Sequence, residues 1–200
     1  MKEIIIVALG FSAGGLNPLK KFFNAVLHDH VSYIILRHIP KGYQSALQEI
    51  LQRHSKLTIV EATDGMKIKK DVVYITPPFA HMTVRNETLY LHTRRLEPGG
   101  NWAVDIFLNS LAETDGNRIA VILSGAGSDG SKGIVKLKSA GGLVLVQTPE
   151  SCEHASMPEN AIATGTVDYI TEPGKMPEII QQHVETIMDT LQPFKNNGTV

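Results

Sequence analysis

Two hundred residues with 42% hydrophobic and 20% charged residues suffice for one packed domain or two small ones. Nineteen Lys and Arg against twenty Asp and Glu leave a formal charge of -1, which excludes a body built to neutralise nucleic-acid phosphates. A single cysteine, Cys152, permits no internal disulfide and no Cys-rich metal site, so the default compartment is the cytoplasm.

The run Ile4 to Leu9 is apolar but too short for a signal peptide or a membrane span, so no membrane insertion is expected. It predicts a buried parallel strand, because it is continuously apolar rather than alternating. Leu16, Leu19, Phe22, Phe23, Val26 and Leu27 then recur at helical spacing, with Pro18 tolerable in a first turn. Tyr33 to Leu36 predicts a second strand, and Tyr43, Ala46, Leu47, Ile50 and Leu51 a second helix. Strands are expected at Thr58 to Val60 and Asp71 to Thr76.

His81 to Arg85, Asn86-Glu87 and Thr88 to His92 predict a β-hairpin, placed at the edge of the sheet or above it. Arg94 to Asn101 is a loop, and Ala103 to Glu113 a helix. Then come a strand at Arg118 to Leu123, a helix around Ile134, Val135 and Leu137, and a strand at Leu143 to Gln147. A short helix ends over Ala161 to Ala163, and Val167 to Ile170 is a short strand. The last helix carries Ile179, Ile180, Val184, Ile187 and Met188. This alternation predicts an α/β fold: a doubly wound, mostly parallel sheet with helices on both faces and an added antiparallel hairpin. Residues 1–193 form a single expected domain and 194–200 a frayed tail. Functional residues belong beyond the carboxyl ends of the strands, at a switch in strand order.

Three loops lie at that edge. Gly10-Phe11-Ser12-Ala13-Gly14-Gly15 follows the first strand. Its serine suits a nucleophile or a donor to a bound phosphate about equally, with a plain helix cap as the third reading. His38, after the second strand, is by itself a rim histidine more readily than a base. Asp129, in Leu123-Ser124-Gly125-Ala126-Gly127-Ser128-Asp129-Gly130-Ser131, either caps the helix that follows or orients His38. The three together have the residue types of a Ser-His-Asp triad: an alcohol needs a base, and the base an orienting carboxylate. Cys152 with His154 is a weaker nucleophile pair, being so close in sequence. His81 and His92 lack a convincing metal spacing, and Asp105 is a cap, a substrate ligand or part of a solvated helix face. Trp102 is a packing residue or a pocket wall, and Met157-Pro158-Glu159-Asn160 a turn or helix start that closes the pocket.

Taken in order, these stretches resemble the catalytic domain of the bacterial chemotaxis protein-glutamate methylesterases of the CheB type. The resemblance runs from about residue 4 to 185. It rests on Gly10 to Gly15, His38-Ile39-Pro40, Ala62-Thr63-Asp64-Gly65, Val73 to Pro77 with His81, Val104 to Phe107, Leu123 to Gly130, Ala140-Gly141-Gly142 and Met157-Pro158 with Ala161. It implies Ser12 as nucleophile, His38 as general base and Asp129 as orienting acid. It also implies backbone oxyanion donors at Ala13 and Ala126, and a substrate pocket at Gly14, Trp102 and Met157. No cofactor and no metal are implied.

The implied substrate is a glutamate methyl ester on a chemoreceptor, with deamidation of receptor glutamines as a second reaction. A regulatory receiver domain, fused or separate, is the other implied partner, since the 200 residues leave no room for one. The chain departs from the family pattern at Ala126 (commonly Met), Arg37 (commonly Gln) and Asn101-Trp102-Ala103 (commonly Arg-Pro-Ser). The competing expectation is a non-catalytic or phospho-ligand-binding signalling module on the same scaffold.

Overall fold

A computed structural model describes residues 4–26, 31–37, 46–78, 80–94 and 101–190. In chain order the elements begin with β1 (Ile5–Phe11), α1 (Leu16–Ala25), β2 (Val31–Arg37), α2 (Leu47–Gln52) and β3 (Thr58–Glu61). They continue with β4 (Met66–Lys67), β5 (Val72–Ile75), β6 (Ala80–Arg85), β7 (Thr88–Thr93) and α3 (Ala103–Ala112). The last are β8 (Arg118–Ile122), α4 (Ser131–Ser139), β9 (Leu143–Gln147), α5 (Ser156–Ile162), β10 (Tyr169–Thr171) and α6 (Met176–Thr190).

Seven strands form one sheet in the order β10-β9-β8-β1-β2-β5-β3, and every pairing in it is parallel. The apolar run of β1 is buried along its whole length because both faces are covered. Val7, Leu9 and Phe11 point to one face, where they meet Leu19, Phe22 and Phe23 of α1, Leu47 and Leu51 of α2, and Ile180 of α6. Ile6 and Ala8 point to the other, against Val104 and Phe107 of α3, Ile134 of α4 and Met157 of α5. Phe22, Phe23 and Tyr33 meet edge to face, with ring centroids 5.2–5.9 Å apart. The doubly wound sheet predicted from the sequence is the one observed.

The hairpin stands above the sheet. β6 and β7 pair antiparallel from Ala80↔Thr93 to Arg85↔Thr88. Asn86 and Glu87 turn the chain with φ of 48° and 55°, the left-handed pair that a two-residue hairpin requires. Two residues of β4 add a third strand, which the sequence did not announce, in the order β4-β7-β6. Met82, Val84 and Leu89 bury against α3, and the Val84 N–H donates to Ser110 Oγ at 3.0 Å. The Asp64 carboxylate accepts the Leu91 N–H at 2.8 Å, so the Thr63-Asp64-Gly65 stretch holds this small sheet rather than the site.

Several predicted boundaries shift. The first strand extends to Phe11, and the short helix near Ala161 begins already at Ser156. Of the two readings of Met157 to Asn160, the helix start is the one observed, with Pro158 tolerated because it lies in the first turn. The final strand is Tyr169–Thr171 rather than Val167 to Ile170. His38-Ile39-Pro40, Tyr43, Leu27, Pro98-Gly99-Gly100 and the expected tail 194–200 lie outside the described residues.

Candidate active site

The strand order reverses at β1, whose neighbours are β2 on one side and β8 on the other. The loops leaving β1 and β8 therefore meet at the switch point of the sheet, the place where open α/β sheets generally bind ligands. Ser12 and Asp129 sit in these two loops. The Ser12 N–H donates to the Ser124 carbonyl at 3.1 Å, so the loops are joined at the serine itself.

Glycine makes that approach possible. A Cβ at Gly125 would lie 3.1 Å from both Ser12 N and Ser12 Cβ, and 2.5 Å from Met157 Sδ. Gly14 has φ of +72°, and a Cβ there would fall 2.6 Å from Glu153 Cβ. Met157 is fully buried, and its N–H donates to the Gly125 carbonyl at 2.9 Å, so it forms the floor beneath this loop. Thus Gly14 and Met157 both lie against the serine loop or its partner.

The Ser12 carbonyl accepts the Gly15 N–H at 3.2 Å, and the Gly125 carbonyl accepts the Met157 N–H at 2.9 Å. Across a trans peptide the N–H points opposite to the C=O. With both carbonyls tied back, the Ala13 and Ala126 N–H groups point away from those anchors. Ala13 and Ala126 are exposed, and among the described residues neither N–H has a hydrogen-bond partner. Ser156 Oγ accepts the Gly127 N–H at 3.1 Å, and Asn160 Nδ2 donates to the Gly127 carbonyl at 3.0 Å, which fastens this loop to α5.

Asp129 is 3% exposed and caps α3, the helix that precedes it in the chain. Its two oxygens accept the Val104 N–H at 2.9 Å and the Asp105 N–H at 2.8 Å, at the start of α3. The N-cap of α4 is Gly130, in the left-handed region at φ 96°. Asp105 supplies the carboxylate to α4: it is buried, and its Oδ1 accepts the Gly133 N–H at 2.7 Å. The capping reading of Asp105 holds, and the solvated-face reading does not. The two acids cap each other's neighbouring helix, and this fixes α3 against α4.

Burial pushes the Asp105 carboxyl above the usual range, and the Asp129 charge adds to the rise, opposed by the Gly133 N–H. Folded Asp105 therefore binds its proton more tightly than unfolded Asp105. Stability contributed by this group falls as pH rises from about 4 through the raised value, and is level above it. Asp105→Asn keeps an oxygen for Gly133 but has no proton to lose. Its destabilisation relative to the wild type is expected to shrink as pH rises through that window in urea unfolding. Parallel stability curves would contradict this.

Trp102 occupies the N-cap of α3, half-buried, with Lys132 Nζ 5.7 Å from its ring centroid. It stands beside the helix start that Asp129 holds. His81 Nε2 bonds Asn101 Oδ1 at 3.0 Å, and His92 Nε2 bonds Thr83 Oγ1 at 2.8 Å. Among the described residues no three His, Cys, Asp or Glu are grouped to hold a metal ion, and no helix is long and apolar enough to cross a membrane.

The Cys152 thiol donates to the Thr148 carbonyl at 3.5 Å. Burial pushes it up to about 11, with Glu172, Glu150 and Glu159 adding to the rise. A thiol so seldom ionised is a poor nucleophile at neutral pH. Cys152→Ser is expected to leave kcat for ester hydrolysis within about twofold of the wild type. A loss of a hundredfold or more in a steady-state assay would return the cysteine to the mechanism.

One residue with a role here was not singled out from the sequence. Ser124, fully buried at the end of β8, bonds both the serine loop and the segment after β9. It lies in the Gly-rich stretch Leu123 to Gly130, but nothing local marks its hydroxyl.

Fold and loops thus define a doubly wound α/β protein with a serine loop and a Gly-rich loop joined at the switch point. The sequence profile of the CheB methylesterase family matches residues 7–180. The chain belongs to that family. The protein-glutamate methylesterase/protein-glutamine glutaminase 3 of Geobacter sulfurreducens is 35% identical over 184 residues, 88% of this chain and 50% of that protein. The enzyme of the same name (without the numeral) from Thermotoga maritima is 34% identical over 179 residues, 86% of this chain and 52% of that protein. The chain spans about half the length of these curated relatives. The crystal structure of the Thermotoga maritima CheB methylesterase catalytic domain superposes with a TM-score of 0.78 at 29% identity, covering 92% of this chain and 99% of that one.

Proposed function

We propose that this chain is a serine hydrolase that demethylates glutamate methyl esters on chemoreceptors, releases methanol, and deamidates receptor glutamines. The observation that carries the proposal is the close joining of the Ser12 loop to the Gly-rich loop after β8 at the switch point of the sheet, through the Ser12 N–H and the Ser124 carbonyl. The names of the relatives support the same reaction and do not favour a phospho-ligand-binding module.

In this reading Ser12 Oγ bonds to the ester carbonyl carbon while His38 takes the hydroxyl proton. The carbonyl oxygen becomes an oxyanion between the Ala13 and Ala126 N–H groups. The C–O bond to the methoxy group breaks, and His38 returns the proton so that methanol leaves. Water then adds to the acyl group by the same route, freeing Ser12 and a glutamate carboxylate. With a glutamine substrate the leaving group is ammonia.

Asp129 orients His38. The two N–H bonds to α3 fix the orientation of its carboxylate. Gly14, Trp102 and Met157 shape the pocket. Residues 1–193 act as a single catalytic domain in the cytoplasm, with a methylated chemoreceptor as substrate and a receiver domain, fused or separate, as regulator.

The test is methanol release from methylated receptor membranes, together with labelling by a fluorophosphonate and mapping of the labelled residue. Methanol release with one label per chain on Ser12 is expected. A label on another residue, or no methanol from receptor esters, would overturn the proposal.

A further inference from the structure

We infer that Ser124 is a positioning residue for this hydrolysis: its buried hydroxyl fixes the Ser12 loop and thereby the two oxyanion donors. The inference rests on the reading of Ser12 as nucleophile. All three polar groups of Ser124 are committed. Its N–H donates to Gln147 Oε1 at 2.9 Å, and its carbonyl accepts the Ser12 N–H at 3.1 Å. Its Oγ donates to the Ala13 carbonyl at 3.0 Å, with the His154 carbonyl at 3.2 Å sharing the proton, and accepts the His154 N–H at 3.1 Å. Gln147 is itself buried, and its Nε2 donates to Ser151 O at 3.1 Å and Ser151 Oγ at 3.0 Å.

One side chain thus joins the loop after β1, the loop after β8 and the segment after β9. Ser12 is held by its N–H and Ala13 by its carbonyl, both from Ser124. The peptide between Ser12 and Ala13 is therefore clamped at its two flanks, and the direction of the Ala13 N–H follows. On the other side, the Gly125 N–H donates to the His154 carbonyl at 3.0 Å, the carbonyl that also faces Ser124 Oγ. The Ala126 donor one residue on shares that support. The packing leaves no slack, since a Cβ at Gly14 would lie 2.9 Å from Ser124 Oγ.

Oxyanion stabilisation depends on where the donors point before reaction. Without the hydroxyl, the Ala13 carbonyl and the His154 N–H lose a buried partner and the loop can rotate. The interaction acts in the transition state, so the loss falls on kcat rather than on KM.

The experiment measures kcat and KM per fluorophosphonate-titrated Ser12 in the wild type, Ser124→Ala and Ser124→Thr. It is paired with amide NMR of Ala13 and Ala126 in the same full-length chains. Ser124→Ala is expected to lower kcat per titrated site about tenfold with KM within about twofold, and Ser124→Thr to restore most of it. An unchanged kcat per titrated site overturns the inference, even where the yield of folded protein falls.

Should Ser124→Ala not fold, Gln147→Met removes the acceptor of the Ser124 N–H at similar volume. A fall in kcat per site then supports the inference, and an unchanged value overturns it. A wild type inert towards both ester and phosphonate would instead remove the proposed reaction. Positioning is then decided by the amide resonances. Ala13 and Ala126 should both shift in the Ser124 or Gln147 variant, and unmoved resonances overturn it.

Discussion

Ser12→Ala is expected to lower methanol release by at least about a thousandfold while leaving thermal unfolding within a few degrees of the wild type. The Ser12 backbone makes the bonds that hold the loop, through its N–H to Ser124 and its carbonyl to Gly15. Both persist when the side chain is shortened. The Ser12 hydroxyl has no hydrogen bond among the described residues, so its removal orphans no buried group among them. Stability and activity therefore separate cleanly at this position. The residual rate would come from the two backbone donors and substrate binding, which survive the change. A variant as fast as the wild type would place the nucleophile elsewhere. A variant that unfolds early would instead make Ser12 a structural serine.

Much of this was legible beforehand, for physical reasons. The continuous apolar runs of β1, β8 and β9 require cover on both faces, and that requirement alone selects a parallel sheet with two helix layers. The glycines of the loops after β1 and β8 marked places where backbones approach closely, and Gly125 against Ser12 is such a place. Other features left no local trace. β4 is two residues long, too short for any alternation to register. The bond from Ser124 Oγ to the Ala13 carbonyl spans 111 positions of sequence. Asp129 next to the start of α4 reads as a cap for α4. Two of its partners lie 25 and 24 residues earlier, at α3. Local rules assign a polar side chain to its own neighbourhood, and a packed sheet edge reassigns it.

That reassignment bears on how acid and helix cooperate. A carboxylate serving only as a cap needs no particular partner beyond N–H groups, and most such carboxylates face water. Asp129 is instead buried with both oxygens on backbone donors, and Asp105 beside it is buried as well. Two acids enclosed together are costly unless each is satisfied, and reciprocal capping satisfies both. The same arrangement makes Asp129 rigid, which suits the orienting role proposed for it.

Asp129→Asn separates the two roles. Both oxygens accept from N–H groups, so an amide must turn its NH2 towards either Val104 or Asp105. One bond is then lost and two donors face each other, at a cost of roughly 1–3 kcal/mol. The midpoint of thermal or urea unfolding should move down accordingly, and Asp129→Ala, which strands both N–H groups, should move it further. If capping were the whole role, kcat per folded molecule would be unchanged in Asp129→Asn. With Asp129 as the orienting acid, His38 loses the carboxylate that fixes its tautomer and stabilises its charged form. The loss in kcat is then on the order of a thousandfold to ten-thousandfold. Well below the unfolding midpoint nearly all molecules are folded, so a stability loss of this size cannot mimic that fall. Methanol release at 25 °C, normalised to the folded fraction, therefore distinguishes a capping aspartate from a catalytic one. An unchanged normalised rate would leave Ser12 and His38 without this third partner.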